Sequence, residues 1–324
     1  MSTSGLTCAG VGATGALWEE LSGEPVGAPM IEARIVGLER AAFDCGNGIP
    51  VRPAAAISED PEGDIVIVPE LWLSPHDDMA DRYGELMAWL RRRHLAGASI
   101  YSACSGAVVL AASGLLDGRE ATSHWGYQDL FRARFPKVVF RPEPNLCFAD
   151  ATGRIVTAGG ATSWHDLAIH IISRHCGTGA ALRVAKAYLL KWHAEGQLPY
   201  ANLVRRQPHA DHLVRKAEAW LGENFSSPQV AAGAVAACGA PERTLKRRFK
   251  SATGLSLMGY AQNLRIEAMK RELETSDMSF EAVATTAGYD NPAFARRLFK
   301  RTTGLLPSDY RRLFRPIAEV SDQP

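Results

Sequence analysis

Cys104 stands in "SIYSACSGAVVLAASGLLDG" (residues 99–118), where a short apolar run gives way to small residues and then to an Ala/Val-rich helical pattern. Strand, reactive side chain, small residues and helix, in that order, are the logic of a nucleophile elbow. Ser105, Gly106 and Ala107 are small enough for the helix to begin directly beneath the thiol. The partial positive charge of a helix N-terminus favours a thiolate there. His124, in "ATSHW", falls near the expected end of another strand, where it could serve as base or counter-ion. Three roles stay open for Cys104: a nucleophile of a thiol-dependent hydratase or amidase, a wall of a ligand pocket, or a small residue filling a turn. Glu19 and Glu20 in "LWEEL" fit a helix better than a loop beneath the elbow, so the acid that would activate the thiol is unaccounted for.

The pocket around such an elbow would include Cys104, Ser105, His124, Trp125, Gly159 and Gly160. Trp125, Tyr127 and Trp164 could wall a cationic ligand, or simply fill a core. Gly159 and Gly160 precede "TSWHD" and could offer backbone N–H groups to an anion at a helix start, or form a tight turn. The segments that must position these residues alternate between strand and helix. "ARIVGL", "DIVIVPEL", "ASIYSA", "EATSHW", "VVFRPE" and "RIVTAGG" read as strands, and "MADRYGELMAWLRRRHLAG" and "TSWHDLAIHIISRHCG" as helices. This alternation predicts a doubly wound α/β domain with a mostly parallel sheet, whose function gathers at the carboxyl ends of the strands. Residues 1–16 contain no convincing apolar strand, so a first strand is expected to be missing or atypical.

The 324 residues suffice for two domains with a core each. No segment has the length and apolarity of a membrane span or a signal peptide, so a cytoplasmic protein is expected. The six cysteines are scattered without metal-ligand spacing, and neither metal nor cofactor is expected. The net charge of +1 hides an asymmetry. Residues 1–205 hold 18 Lys and Arg against 22 Asp and Glu, and residues 206–324 hold 18 against 13. A basic C-terminal third on a mildly acidic body suggests a nucleic-acid module.

That third repeats itself. "RRFKSATGLSLMGY" (247–260) lies over "RLFKRTTGLLPSDY" (297–310), with Arg247, Phe249, Lys250, Thr253, Gly254, Leu255 and Tyr260 each matched 50 residues on. Each copy reads as helix, short turn, helix, the second helix closing at Gly254 or Gly304, with Asn291 and Pro292 as cap and first turn in the second copy. Leu245 and Phe249 share one face, leaving Arg243, Lys246, Arg247 and Lys250 outward; the second copy offers Arg296, Arg297, Lys300 and Arg301 alike. Such side chains bridge guanine edges and neutralise phosphates. "SLMGYAQNLRIEAMKRELETS" reads as one helix of about 18 residues, ~27 Å long, able to hold two recognition helices roughly one DNA turn apart.

The combination "ERTLKRRFKSATGLS" with "GYDNPAFARRLFKRTTGLLPSDYR" resembles the AraC-type regulator domain over residues 212–315. The resemblance implies two helix-turn-helix motifs entering adjacent major grooves, with Arg243, Lys246 and Arg247, then Ala293, Arg296 and Arg297, facing bases. Ala295 stands where that family keeps a larger apolar residue, with Phe294 beside it, to pack in the core by a small rotation or to touch a thymine methyl. "YSACSGAVVLAASGLLDGREATSHW" resembles the PfpI-like branch of the class I glutamine-amidotransferase-like superfamily. Together they are similar to GlxA-type regulators. The organisation implied is a flavodoxin-like sensor domain (1–195), a linker (196–211), an all-α DNA-binding domain (212–315) and a tail (316–324). The implied partners are promoter DNA, a small-molecule effector, a second copy of the chain and RNA polymerase, with no membrane.

Overall fold

The computed structural model describes residues 17–45, 48–71, 79–160, 162–204 and 209–320, and divides into two compact units at the Gln197–Leu198 bond. The expectation of a missing first strand falls on residues 1–16, outside the described residues.

The first unit opens with helix α1 (Leu17–Ser22) and four short strands: β1 (Val36–Gly37), β2 (Phe43–Cys45), β3 (Ile49–Val51) and β4 (Ala55–Ala56). β1 pairs in parallel with β4, and β2 forms an antiparallel pair with β3. "ARIVGL" thus supplies only two strand residues and stays outside the main sheet. The main sheet holds β5 (Ile65–Val68), β6 (Ser99–Ala103), β9 (Leu146–Phe148) and β10 (Ile155–Ala158), in the order β5-β6-β10-β9. β5, β6 and β10 run parallel, and β9 closes the edge antiparallel to β10. A small parallel pair, β7 (Glu120–Ala121) with β8 (Val139–Phe140), lies apart from it.

Every residue of β6 is buried, as a central strand covered on both faces requires. Its alternation divides the core. Ile100 packs with Leu90, Val108 and Leu110, from helices α2 (Met79–Leu95) and α3 (Gly106–Ala112). Tyr101 and Ala103 turn the other way, onto Trp164, Leu167 and Ile171. Helix α4 (Gln128–Arg134) adds Leu130 and Phe131 to the first face, α5 (Ser163–Cys176) covers the second, and α6 (Thr178–Ala187) packs on α5. This is the flavodoxin-like, mostly parallel α/β arrangement expected from the strand-helix alternation.

The second unit is helical: α7 (His212–Asn224), α8 (Val230–Cys238), α9 (Glu242–Thr253), α10 (Leu257–Thr275), α11 (Phe280–Thr286), α12 (Pro292–Thr303) and α13 (Pro307–Val320). The repeat read in the sequence is structural. α8, α9 and α10 each begin 50 residues before α11, α12 and α13. Gly254 and Gly304 close their helices in the left-handed conformation, and Asn291 caps α12 through the Phe294 N–H. Each copy has its own core: Leu245, Phe249, Leu257 and Tyr260 in one, Ala295, Phe299, Met269 and Tyr310 in the other. The 19-residue α10 contributes to both.

Residues 196–211 have the composition of a linker, yet both ends are held. Gln197 is buried in the first unit. In the second, Lys270 Nζ donates to the Ala201 carbonyl at 2.8 Å, Asn263 Nδ2 to that of Leu203 at 3.1 Å, and the Leu203 N–H to Glu267 at 3.0 Å.

Candidate ligand pocket and DNA-reading face

Cys104 sits where β6 ends and α3 is about to begin, with φ at +50°. A non-glycine residue in that region is strained, and such strain is characteristic of an elbow. The turn fits because Gly106 has no side chain: a methyl there would run into the carbonyl oxygens of Val68 and Pro69. Ser105 fastens the loop after β5, accepting from the Leu71 N–H at 2.9 Å and donating to its carbonyl at 2.6 Å. The Ser123 hydroxyl donates to the Cys104 carbonyl at 2.7 Å.

The acid missing from the sequence reading is Glu70. Its Oε1 lies 3.7 Å from Cys104 Sγ. It stands two residues after the end of β5, and β5 is the neighbour of β6, so strand order and not sequence proximity brings the pair together. A carboxylate at the carboxyl end of a parallel strand was the available signal.

The surroundings of Cys104 disfavour the thiolate that a helix N-terminus alone would favour. Burial pushes the Cys104 thiol up to about 12, and the Glu70 charge pushes the same way; the backbone N–H groups of Ser105 and His124 oppose them without prevailing. Desolvation exceeds the helix-terminus effect because only 4% of the residue remains exposed.

His124 approaches the sulfur through its main chain. Its ring accepts from the Gly126 N–H at Nδ1, 2.9 Å away, as the cap of a short 3-10 turn. Trp125 and Tyr127 flank that ring, at centroid distances of 4.9 and 6.5 Å. Trp164 belongs to the second core beside His165, so the three aromatics form no single cage. The Gly159–Gly160 turn is filled: Gln197 Oε1 accepts from the Gly160 N–H at 2.8 Å, and the Gly159 N–H donates to Asn145. Of the two readings of this pair the tight turn fits, since both N–H groups are taken, one by a side chain the sequence reading passed over. No cluster of metal-ligating residues occurs among the described residues.

In the second unit, Leu245 and Phe249 are fully buried, and Arg243, Lys246, Arg247 and Lys250 are exposed along α9. Lys246 pairs with Glu242 one turn earlier. On α12, Ala293, Arg296, Arg297, Lys300 and Arg301 are exposed. Arg296 reaches back to Glu281 at 2.6 Å and lies over the Phe280 ring, so its guanidinium is partly spent inside the motif. Ala295 takes the core position and Phe294 stays 42% exposed beside Tyr289. The helix keeps its register, which sets aside the rotation that would have buried Phe294.

Residues 17–174 match the DJ-1/PfpI family, and residues 234–313 match a helix-turn-helix domain. The chain is a DJ-1/PfpI domain joined to an AraC-type helix-turn-helix domain. It is 29% identical over 228 residues to the HTH-type transcriptional regulator GlxA of Rhizobium meliloti, covering 69% of this chain and 68% of that protein. It is 25% identical to the HTH-type transcriptional regulator CdhR of Pseudomonas aeruginosa, covering 82% and 77%. The DJ-1/PfpI part is also similar to an isonitrile hydratase of Pseudomonas putida, 27% identical over 154 residues, 47% of this chain and 63% of the enzyme.

Proposed function

We propose that this chain is a sequence-specific DNA-binding transcriptional regulator whose DJ-1/PfpI unit senses a small metabolite, dimerises, or does both. The observation that carries the reading is the duplicated motif, with cationic α9 and α12 set over separate buried cores. Arg243, Lys246, Arg247 and Lys250 on one helix, and Ala293, Arg296, Arg297 and Lys300 on the other, are the groups assigned to the duplex. Their cations meet phosphates and guanine edges in the major groove. Effector binding alters how well the two helices engage promoter DNA, and RNA polymerase is the partner downstream.

One observation favours a second reading. Glu70 against Cys104 on an elbow is a pair from which a hydratase or amidase could be built. A thiol raised to about 12 weighs against it, since too little thiolate forms at neutral pH for attack. Binding of the full chain to cognate and random duplexes, across a salt series, tests the first reading. Equal affinity for both sequences overturns it. Consumption of a metabolite by wild type but not by Cys104→Ser would establish the second.

A further inference from the structure

A long polar side chain that the elbow does not use, that of Gln197, is enclosed to 3% exposure. Its Oε1 accepts from the Gly160 N–H at 2.8 Å. Its Nε2 donates towards three acceptors: Thr122 Oγ1 at 3.1 Å, the Ser123 carbonyl at 3.0 Å and the Pro144 carbonyl at 3.1 Å. The space is shaped round this group. A methyl on Gly159 would collide with the carboxamide, and one on Gly196 would meet the Glu143 carbonyl, the acceptor of the Gln197 N–H. Ser123 forms one wall and holds the Cys104 carbonyl with its own hydroxyl, so the site backs onto the elbow.

We infer that this is a ligand site occupied from within, that it takes a primary carboxamide, and that such a ligand binds by expelling Gln197. The inference rests on the sensor reading above. One N–H and three oxygens call for an oxygen acceptor and an N–H donor on a single carbon. A carboxylate would set an oxygen against the Ser123 and Pro144 carbonyls, which can only accept, and a tertiary amide brings no donor. The Thr122 hydroxyl donates towards the same Ser123 and Pro144 carbonyls, at 3.4 and 3.3 Å, so Gln197 and Thr122 meet these acceptors together. Leu189 is 90% exposed, and His193 is held by the buried Asp166 and by Asn145. Gln197 is the last residue of the first unit, and Leu198 begins the DNA-reading unit. Expelling the carboxamide therefore frees the point at which the chain leaves the sensor.

The test is calorimetric titration of the full chain, wild type and Gln197→Ala, with propionamide, propionate and N,N-dimethylpropionamide. An internal occupant in place at least nine-tenths of the time lowers apparent affinity at least about tenfold, so Gln197→Ala should bind propionamide tighter by that factor. Propionate and the dimethyl amide should bind neither protein. Equal affinity of wild type and variant, or binding of all three probes alike, overturns the inference. Hydrogen exchange on wild type covers the case in which Gln197→Ala fails to fold: propionamide should speed exchange at 194–198, and unchanged exchange at saturating propionamide also overturns it. Cognate-DNA affinity is read on the same samples. Absent DNA binding in wild type defeats the regulator reading; intact DNA binding without propionamide selectivity defeats only the carboxamide site.

Discussion

At Cys104 the geometry of an elbow and the chemistry of a nucleophile part company. The positive φ, the small residues after it and the adjacent Glu70 are those of a reactive site, but burial and a neighbouring carboxylate both hold the proton on sulfur. Alkylation of Cys104 by iodoacetamide at pH 7.5, followed by peptide mass spectrometry, should run at least about a hundredfold slower than for a free cysteine. Glu70→Gln removes the charge and should speed it severalfold, with the rate rising at lower pH than in wild type. An unchanged rate would mean that Glu70 exerts no field on the sulfur. Gly106→Ala should cost about 1–3 kcal/mol in denaturant unfolding, because the new methyl overpacks two backbone carbonyls. The turn itself was readable from the run of small residues after Cys104. Glu70 was not, because its 34-residue separation from Cys104 is bridged only by the pairing of β5 with β6. Gln197 lay in a Gly- and Pro-bearing stretch with nothing to mark its burial.

Among the elements, α10 joins the two motifs, and its buried Arg265 fixes them together. That guanidinium donates to the carbonyls of Phe225 and Ser227 on one side and of Gly288 on the other, and lies over the Tyr289 ring. Gly288 completes the joint, since any side chain there would strike Ser226. Arg265→Ala strands three carbonyls and should cost about 3 kcal/mol, measured by thermal unfolding, with loss of DNA affinity. Arg265→Lys should recover little, because a point cation cannot span three acceptors. A second joint is Asp211, which caps α7 and receives both ends of the Arg248 guanidinium from α9. The Arg248 hydrogen bonds hold its carboxyl below the usual range. A depressed folded pKa stabilises above the unfolded value of about 3.9 and loses that contribution as pH falls through the folded value. Acid unfolding should therefore begin at lower pH in wild type than it would if the pair were idle, and Asp211→Asn should flatten the stability profile below about pH 4. Helix boundaries and caps of this unit were legible from Gly254, Asn291, Pro292 and Gly304. Arg265 was not, because "LRIEAM" reads equally well with its arginine in solvent.

For the whole molecule, the proposed regulator divides its work between two units, one reading DNA and one sensing an effector. Binding to DNA should fall steeply with salt. Arg247→Ala should cost about 1–3 kcal/mol on cognate sequence and relax discrimination, while Lys250→Ala should weaken all sequences alike and lower the salt slope by about 1. Fluorescence anisotropy on cognate and random duplexes separates the two. The charge asymmetry and the 50-residue offset made the DNA-reading unit plain from sequence, since periodicity and caps are local signals. The proposed carboxamide site was less legible because its walls come from Thr122, Ser123, Pro144, Gly160 and Gln197, which only the folded sheet assembles. The duplication has a consequence for descent as well as for binding. The buried partners Phe249 and Phe299 are identical, whereas two of the outward positions differ: Arg243 against Ala293, Lys246 against Arg296. A promoter that drifts in one half can be followed by changes in one helix while the other keeps its grip, so a lineage can acquire new target genes without passing through an ancestor that recognises none.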